Sequence, residues 1–389
     1  MNVLIVGDGP EETAWGHWFL AHPEYRLASL YPGLHGDDFG GIPIARDLDE
    51  GLASPGLDLV LVGGPLDLRG EALRRAAAEG LAIICLHPPG EDSEAYYQVA
   101  LSKSETGAVV VPDLPLRLHP GVAALARAMT SGDLGTFRGI RHECSVGSSG
   151  TDLVRHAFAR AVDVVRALLG EIDALTASGN PAGDHPDIEL VVQLRGAQGR
   201  QAEVRVWSGP LEPSRLTVSG SSGSLTLEYD PLFHDPARLV RRGSELSGES
   251  VTGLEPWDPH AAIVHTLRTS WERRSTPDQA DPGPSLADGT RAMELSEAAA
   301  RSLRRGRTID LHYEAISEES SFKSIMTSTG CVILLAVLLI LPLALAGPAL
   351  GFNWTIYIAY IIPPVLVVFA VMQILRFGIR RDGGETIKK

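Results

Sequence analysis

Cysteine is nearly absent from this chain of 389 residues: Cys85, Cys144 and Cys331 stand far apart, each in an apolar run. Three isolated thiols build neither a disulfide framework nor a zinc site, and suit a reducing compartment. Positive charge is also short. Lys and Arg total 34 against 48 Asp and Glu, a net charge of −14, so a surface for nucleic-acid phosphates is not expected. The opening stretch, MNVLIVGDGPEETAW, has neither a basic n-region nor a long apolar core, and reads as a strand rather than a signal peptide. No His, Cys or carboxylate spacing marks a metal site; His260 and His265, five apart, do not share a helical face.

What is present describes a globular chain with a membrane end. Hydrophobic residues make up 44% and charged residues 21%, and the length accommodates two domains. Ile325 to Gly347 and Trp354 to Leu375 carry no charge. At ~1.5 Å per residue, about 22 residues span ~33 Å, enough for the hydrocarbon layer. The short loop between them lacks Lys and Arg, whereas Lys323 precedes the first span and Arg376, Arg380, Arg381, Lys388 and Lys389 follow the second. The expectation is a transmembrane helical hairpin in the inner (cytoplasmic) membrane, with the soluble part and both termini cytoplasmic.

Ahead of the hairpin, strands such as NVLIVG, RLASLY, LDLVLVGG and LAIICL alternate with helices through Trp15 to Ala21, around Leu48 to Leu52, and from Glu71 to Glu79. That alternation predicts βαβ units and a parallel sheet. The first strand feeds Gly7-Asp8-Gly9, then Pro10 and Glu11 at a helix start, the setting of a dinucleotide-binding turn. From about Arg117 the pattern changes. A helix over Pro120 to Thr130, a strand FRGIRHECSV and an apolar-striped helix ending at Gly170 precede five strands at roughly ten-residue spacing. These predict an open, mostly antiparallel sheet, followed by helices at about His260 to Glu272 and Leu286 to Arg304.

The order of elements, with GIPIARDLDEGLASPGLDLVLVGG, RLHPGVAALARAMTSGDLGTFRGI, AVDVVRALLGEIDAL, LTVSGSSGSLTLEY and PSLADGTRAMELSEAAARSLRRGRTIDL, resembles the glucose–fructose oxidoreductase / inositol dehydrogenase (Gfo/Idh/MocA) family over about residues 1–311. The resemblance implies a Rossmann-type doubly wound α/β domain (1–115) and an α+β substrate and oligomerisation domain (116–311). A linker (312–324), spans at 325–347 and 354–377, and a tail (378–389) complete the expected organisation. It further implies an NAD or NADP cofactor, a sugar or cyclitol ligand, and homo-oligomers formed through the open sheet.

In that family a lysine in a Glu-Lys-Pro turn after the fifth strand, with an Asp and a His four apart on the central helix, serves acid–base catalysis and substrate binding. Here the turn reads Leu86-His87-Pro88, His156 stands at the Asp position and Arg160 at the His position. Arg160 keeps its proton near neutral pH and is no base. His87 is either a replacement acid–base group or a loop histidine. Glu12 replaces the third glycine, where its carboxylate would satisfy N–H groups at the helix start in place of a pyrophosphate. Tyr31 replaces the ribose-binding acid, and Gly64-Pro65 stands where the family has Thr-Pro. Gly7 and Gly9 serve either the turn alone or a cofactor. Arg117 and His119 either meet a polar substrate or fix the interdomain turn. Two functions stay open: an oxidoreductase with altered catalytic residues, and a catalytically silent tethered binding or assembly module.

Overall fold

The computed structural model describes residues 1–34, 36–147, 152–180, 188–243, 248–274 and 283–311. Its first part runs β1 (Asn2–Val6), α1 (Pro10–Ala21), β2 (Arg26–Tyr31), α2 (Leu48–Leu52), β3 (Leu57–Val62), α3 (Leu66–Ala78), β4 (Ala82–Leu86), α4 (Glu94–Thr106) and β5 (Val109–Asp113). The five strands form a parallel sheet in the order β2-β1-β3-β4-β5. Strands covered on both faces need apolar residues in succession, and β4 is wholly buried along its length. The sequence reading missed α4 and β5 and began α3 at Glu71 instead of Leu66. In β5 (VVVPD) Pro112 reads as a strand breaker, yet it is tolerated because β5 lies at the sheet edge.

The second part runs α5 (Pro120–Ser131), β6 (Phe137–Val146), a π-helical turn (Leu153–Phe158) leading directly into α6 (Ala159–Leu169), β7 (Ile172–Asn180), β8 (Glu189–Gly196), β9 (Gln201–Ser208), β10 (Ser214–Gly220), β11 (Gly223–Tyr229), β12 (Arg238–Gly243), β13 (Ser250–Gly253), α7 (Pro259–Arg273), α8 (Leu286–Arg305) and β14 (Ile309–Asp310). The nine strands are ordered β13-β12-β11-β10-β6-β9-β8-β7-β14, antiparallel except for the β6–β9 pair. The mostly antiparallel sheet expected from the turn spacing is therefore present, with β12 and β13 added.

One face of this sheet packs on α5, α6 and α8 through residues such as Leu125, Phe158, Val162 and Leu295. The other face is ion-paired: Arg141 meets Glu203, Arg205 meets Glu189, and Arg215 and Arg238 share Glu228. The five-stranded sheet is covered by α1 and α7 on one side, with Trp15, Phe19, Ile263 and Leu267 in a single cluster. On its other side α3 and α4 are joined by Leu286 and Met293 of α8. Thus α7, which the sequence assigns to the second domain, completes the core of the first sheet. The predicted spans at 325–347 and 354–377 lie outside the described residues; among the described residues no helix is long and apolar enough to cross a membrane.

Candidate functional site

The carboxyl ends of parallel strands are where doubly wound sheets receive ligands. Here that edge is built from Gly7-Asp8-Gly9 after β1, Gly63-Gly64-Pro65 after β3, Leu86-His87-Pro88 after β4 and Asp113 at the end of β5. The His87 turn follows the fourth strand of the chain, not the fifth. Gly7 has φ +116° and lies so close to the Gly64 amide that no side chain fits, so the two turns meet backbone to backbone. Its N–H donates to the Tyr31 carbonyl at 2.7 Å, which ties the turn to the end of β2.

Glu12 does not cap α1, whose start carries no side-chain cap. The side chain turns inward, is 3% exposed, and accepts a hydrogen bond from the Gly64 N–H at 2.5 Å. The Arg69 guanidinium stands 3.9 Å from the same oxygen. A Cβ at Gly7 or at Gly9 would fall 2.6 Å from a Glu12 carboxylate oxygen, so the glycines make room for this carboxylate. Arg69 itself is buried and donates to the carbonyls of Gly64 (2.6 Å), Pro88 (2.9 Å) and Leu86 (3.3 Å), fastening the β3 and β4 turns together.

Beside this core, Glu11 faces Arg160 of α6. Arg160 donates from both terminal nitrogens to the two Glu11 oxygens, at 2.5 and 2.7 Å, and from Nε to the His87 carbonyl at 2.7 Å. Partial desolvation works to raise the Glu11 carboxyl, but the charge and hydrogen bonds of Arg160 outweigh it and hold the group below the usual carboxylate range. The contact bridges the two sheets' layers at the crevice, and joins residues 149 apart in the chain.

His87 is 0% exposed, with Nδ1 3.2 Å from the Tyr96 hydroxyl. Burial pushes its imidazole well below the ordinary histidine range, and the charges of Arg160 and Arg69 act the same way. His156 lies in the π-helical turn, half-buried, and burial followed by Arg160 lowers it too. Asp152 caps that turn, accepting from the N–H groups of Val154 and Arg155 at 2.9 and 3.0 Å. Arg117 pairs with Asp163 at 3.1 Å and Asp288 at 2.6 Å, the geometry of a fixed interdomain turn. His119 caps α5, its ring Nδ1 accepting from Gly121 N–H at 3.0 Å; burial lowers its pKa to about 4.

One group escaped the sequence reading. Asp113 accepts from the Trp15 indole at 3.1 Å, and burial raises its carboxyl to about 6. A carboxylate ending a parallel strand was the available signal, but it ends β5, the strand that went unrecognised. Among the described residues no three His, Cys, Asp or Glu side chains converge as metal ligands.

A dinucleotide pyrophosphate needs free N–H groups above a glycine turn. The uncapped start of α1 keeps part of that cradle, but Glu12 fills the space against Gly64 and Glu11 adds a second carboxylate. The residues as arranged do not fit the group without displacement of Glu12.

Comparison with known proteins agrees with the architecture. No family model matches the chain. The chain is 25% identical over 300 residues to inositol 2-dehydrogenase of Rhizobium meliloti, covering 68% of this chain and 84% of that protein. It is 25% identical over 312 residues to D-apiose dehydrogenase of Paraburkholderia graminis, covering 71% and 79%. A solved levoglucosan dehydrogenase in complex with NADH and levoglucosan superposes with TM-score 0.65 at 17% identity, over 80% of this chain and 100% of that one. This chain has the fold of these dehydrogenases. An oxidoreductase of that fold from Agrobacterium radiobacter, in complex with NAD+, L-tartaric acid and magnesium, gives TM-score 0.63 at 18% identity, over 80% and 98%.

Proposed function

We propose that this chain is a membrane-anchored protein of the Gfo/Idh/MocA dehydrogenase fold that binds a sugar-like ligand and no longer carries out hydride transfer. The observation that carries the reading is the buried Glu12 carboxylate, hydrogen-bonded to Gly64 inside the turn where a dinucleotide would lie. Two losses on the catalytic side support it: His87, at the position of the family's lysine, is buried, and Arg160 stands in place of a proton-transferring histidine. NAD or NADP is the cofactor class that the fold implies, and the ligands of its relatives point to sugar-like molecules. Calorimetric titration of the full-length chain with NAD+ and NADP+ tests this directly. Dissociation constants weaker than ~1 mM are expected, a binding free energy of less than about 4 kcal/mol. Micromolar binding of either would sink the reading.

A second reading, turnover of a sugar or cyclitol, draws on Asp113, whose carboxyl burial raises toward the range of a working general base. Growth of reduced-cofactor absorbance with a panel of such substrates would favour it.

The anchor rests on the two uncharged stretches and the basic residues that flank them. The full chain should stay with the membrane pellet after alkaline carbonate extraction; release to the supernatant would remove that part of the proposal. Self-association through the open sheet would have to work across a face of Arg–Glu pairs rather than an apolar one.

A further inference from the structure

Arg160 presents its planar fork to the Glu11 carboxylate, one terminal nitrogen to each oxygen, at 2.5 and 2.7 Å. This is the geometry in which a guanidinium recognises a carboxylate ligand. Its Nε is spent on the His87 carbonyl, which sets the plane of the fork. Solvent reaches both partners, whose side chains are 38% and 45% exposed, so an incoming carboxylate can exchange for Glu11 at the fork. Two further observations mark the position. The π-helical turn Leu153–Phe158 lies immediately before the helix that carries Arg160, and π-helical turns occur frequently at functional sites. On the residue whose carbonyl Arg160 holds, the His87 ring leaves Nε2 buried with no hydrogen-bond partner among the described residues.

The geometry points to a carboxylate-bearing sugar, a uronate or similar acid, as the ligand of this crevice, with Glu11 as the internal carboxylate that holds its place. A singly charged group is favoured over a phosphate, because Glu12 and Asp113 stand nearby and oppose a dianion. The inference rests on reading the crevice as a binding site, but its test is separate from the dinucleotide titration, so either can fail alone.

The experiment is calorimetric titration of the full-length chain and its Glu11→Gln variant with D-glucuronate, D-glucose and D-glucose 6-phosphate. If the clasp leaves Arg160 free in ~1–10% of molecules, removing it tightens glucuronate binding by roughly 10–100-fold, since apparent affinity scales with the competent fraction. Glucose binding should not change. Adding Arg160→Lys to Glu11→Gln keeps the charge and the fold but loses the fork, and should undo most of the gain, with thermal unfolding confirming that the double variant is folded. Equal glucuronate affinity in wild type and Glu11→Gln overturns the inference. So does an equal gain for glucose, tighter binding of glucose 6-phosphate than of glucuronate, or a gain that survives Arg160→Lys.

Discussion

Glu12→Gly is expected to give the chain measurable affinity for NAD+ or NADP+ and, in their absence, to lower its stability by about 1–3 kcal/mol. Both effects come from one side chain. Glu12 accepts the Gly64 N–H at 2.5 Å and stands beside the buried Arg69 guanidinium. Removing it leaves a buried donor without its acceptor, a loss of about that size. It also empties the space between the β1 and β3 turns and takes one negative charge away from the uncapped start of α1, where a pyrophosphate finds N–H donors. A dinucleotide entering that space replaces the lost acceptor. At ~100 times its dissociation constant it should therefore return about 2.7 kcal/mol of apparent stability. Glu12→Gln is the control: its amide oxygen keeps the hydrogen bond and the bulk, so the site should stay closed. Calorimetry and thermal unfolding with and without cofactor read both quantities. A glycine variant that binds no dinucleotide and unfolds at the wild-type temperature would show that Glu12 neither fills nor closes the site.

The second large effect is on the interdomain turn. Arg117→Met should cost about 3–5 kcal/mol, the usual penalty for removing one member of a buried ion pair. Asp163 is 1% exposed and relies on Arg117 Nε at 3.1 Å, while its Oδ1 has no hydrogen-bond partner among the described residues. Burial already raises its carboxyl above the ordinary value, although the charges of Arg117 and Arg166 act to lower it. The Arg117 Nη1 also holds Asp288 at 2.6 Å, so the substitution loosens α8 from α6. Replacing both members, Arg117→Met with Asp163→Leu, should recover a good part of the loss, because no uncompensated charge then remains. Denaturant midpoints of the full-length chain measure this. Were Arg117 a ligand contact instead, the single variant would unfold like the wild type and lose affinity for the sugar alone.

Much of this architecture was legible beforehand because its signals are local. Strand β6 and helix α2 lie where the pattern placed them, and the closing helix α8 differs by one residue at its end. Each follows from a period of two or 3.6 and from the turn residues at its borders. Strand β5 was missed because Pro112 argues against a strand until the sheet order makes it an edge. Helix α4 was missed because EAYYQVALSKSET has no continuous apolar stripe; Tyr96 and Val99 are buried, whereas Glu94 and Gln98 beside them are exposed.

By itself the sequence determined the two sheets, the glycine turn and the departures at Glu12, His87 and Arg160. Those are identities and periodicities, readable within a few residues. Only the tertiary structure decided what the departures do. Glu12 was expected to serve the start of its own helix, yet it turns to Gly64, 52 residues away. Arg160 is excluded as a base by its residue type alone, and the fold shows what it does instead: it holds the Glu11 carboxylate, 149 residues away. His87 reads in the sequence as either a replacement acid–base group or a loop histidine, and in the fold it is buried with Nδ1 against the Tyr96 hydroxyl. A charged side chain goes to whichever opposite charge or free N–H the sheet order brings within reach, and local spacing carries no record of that order until the strands have paired.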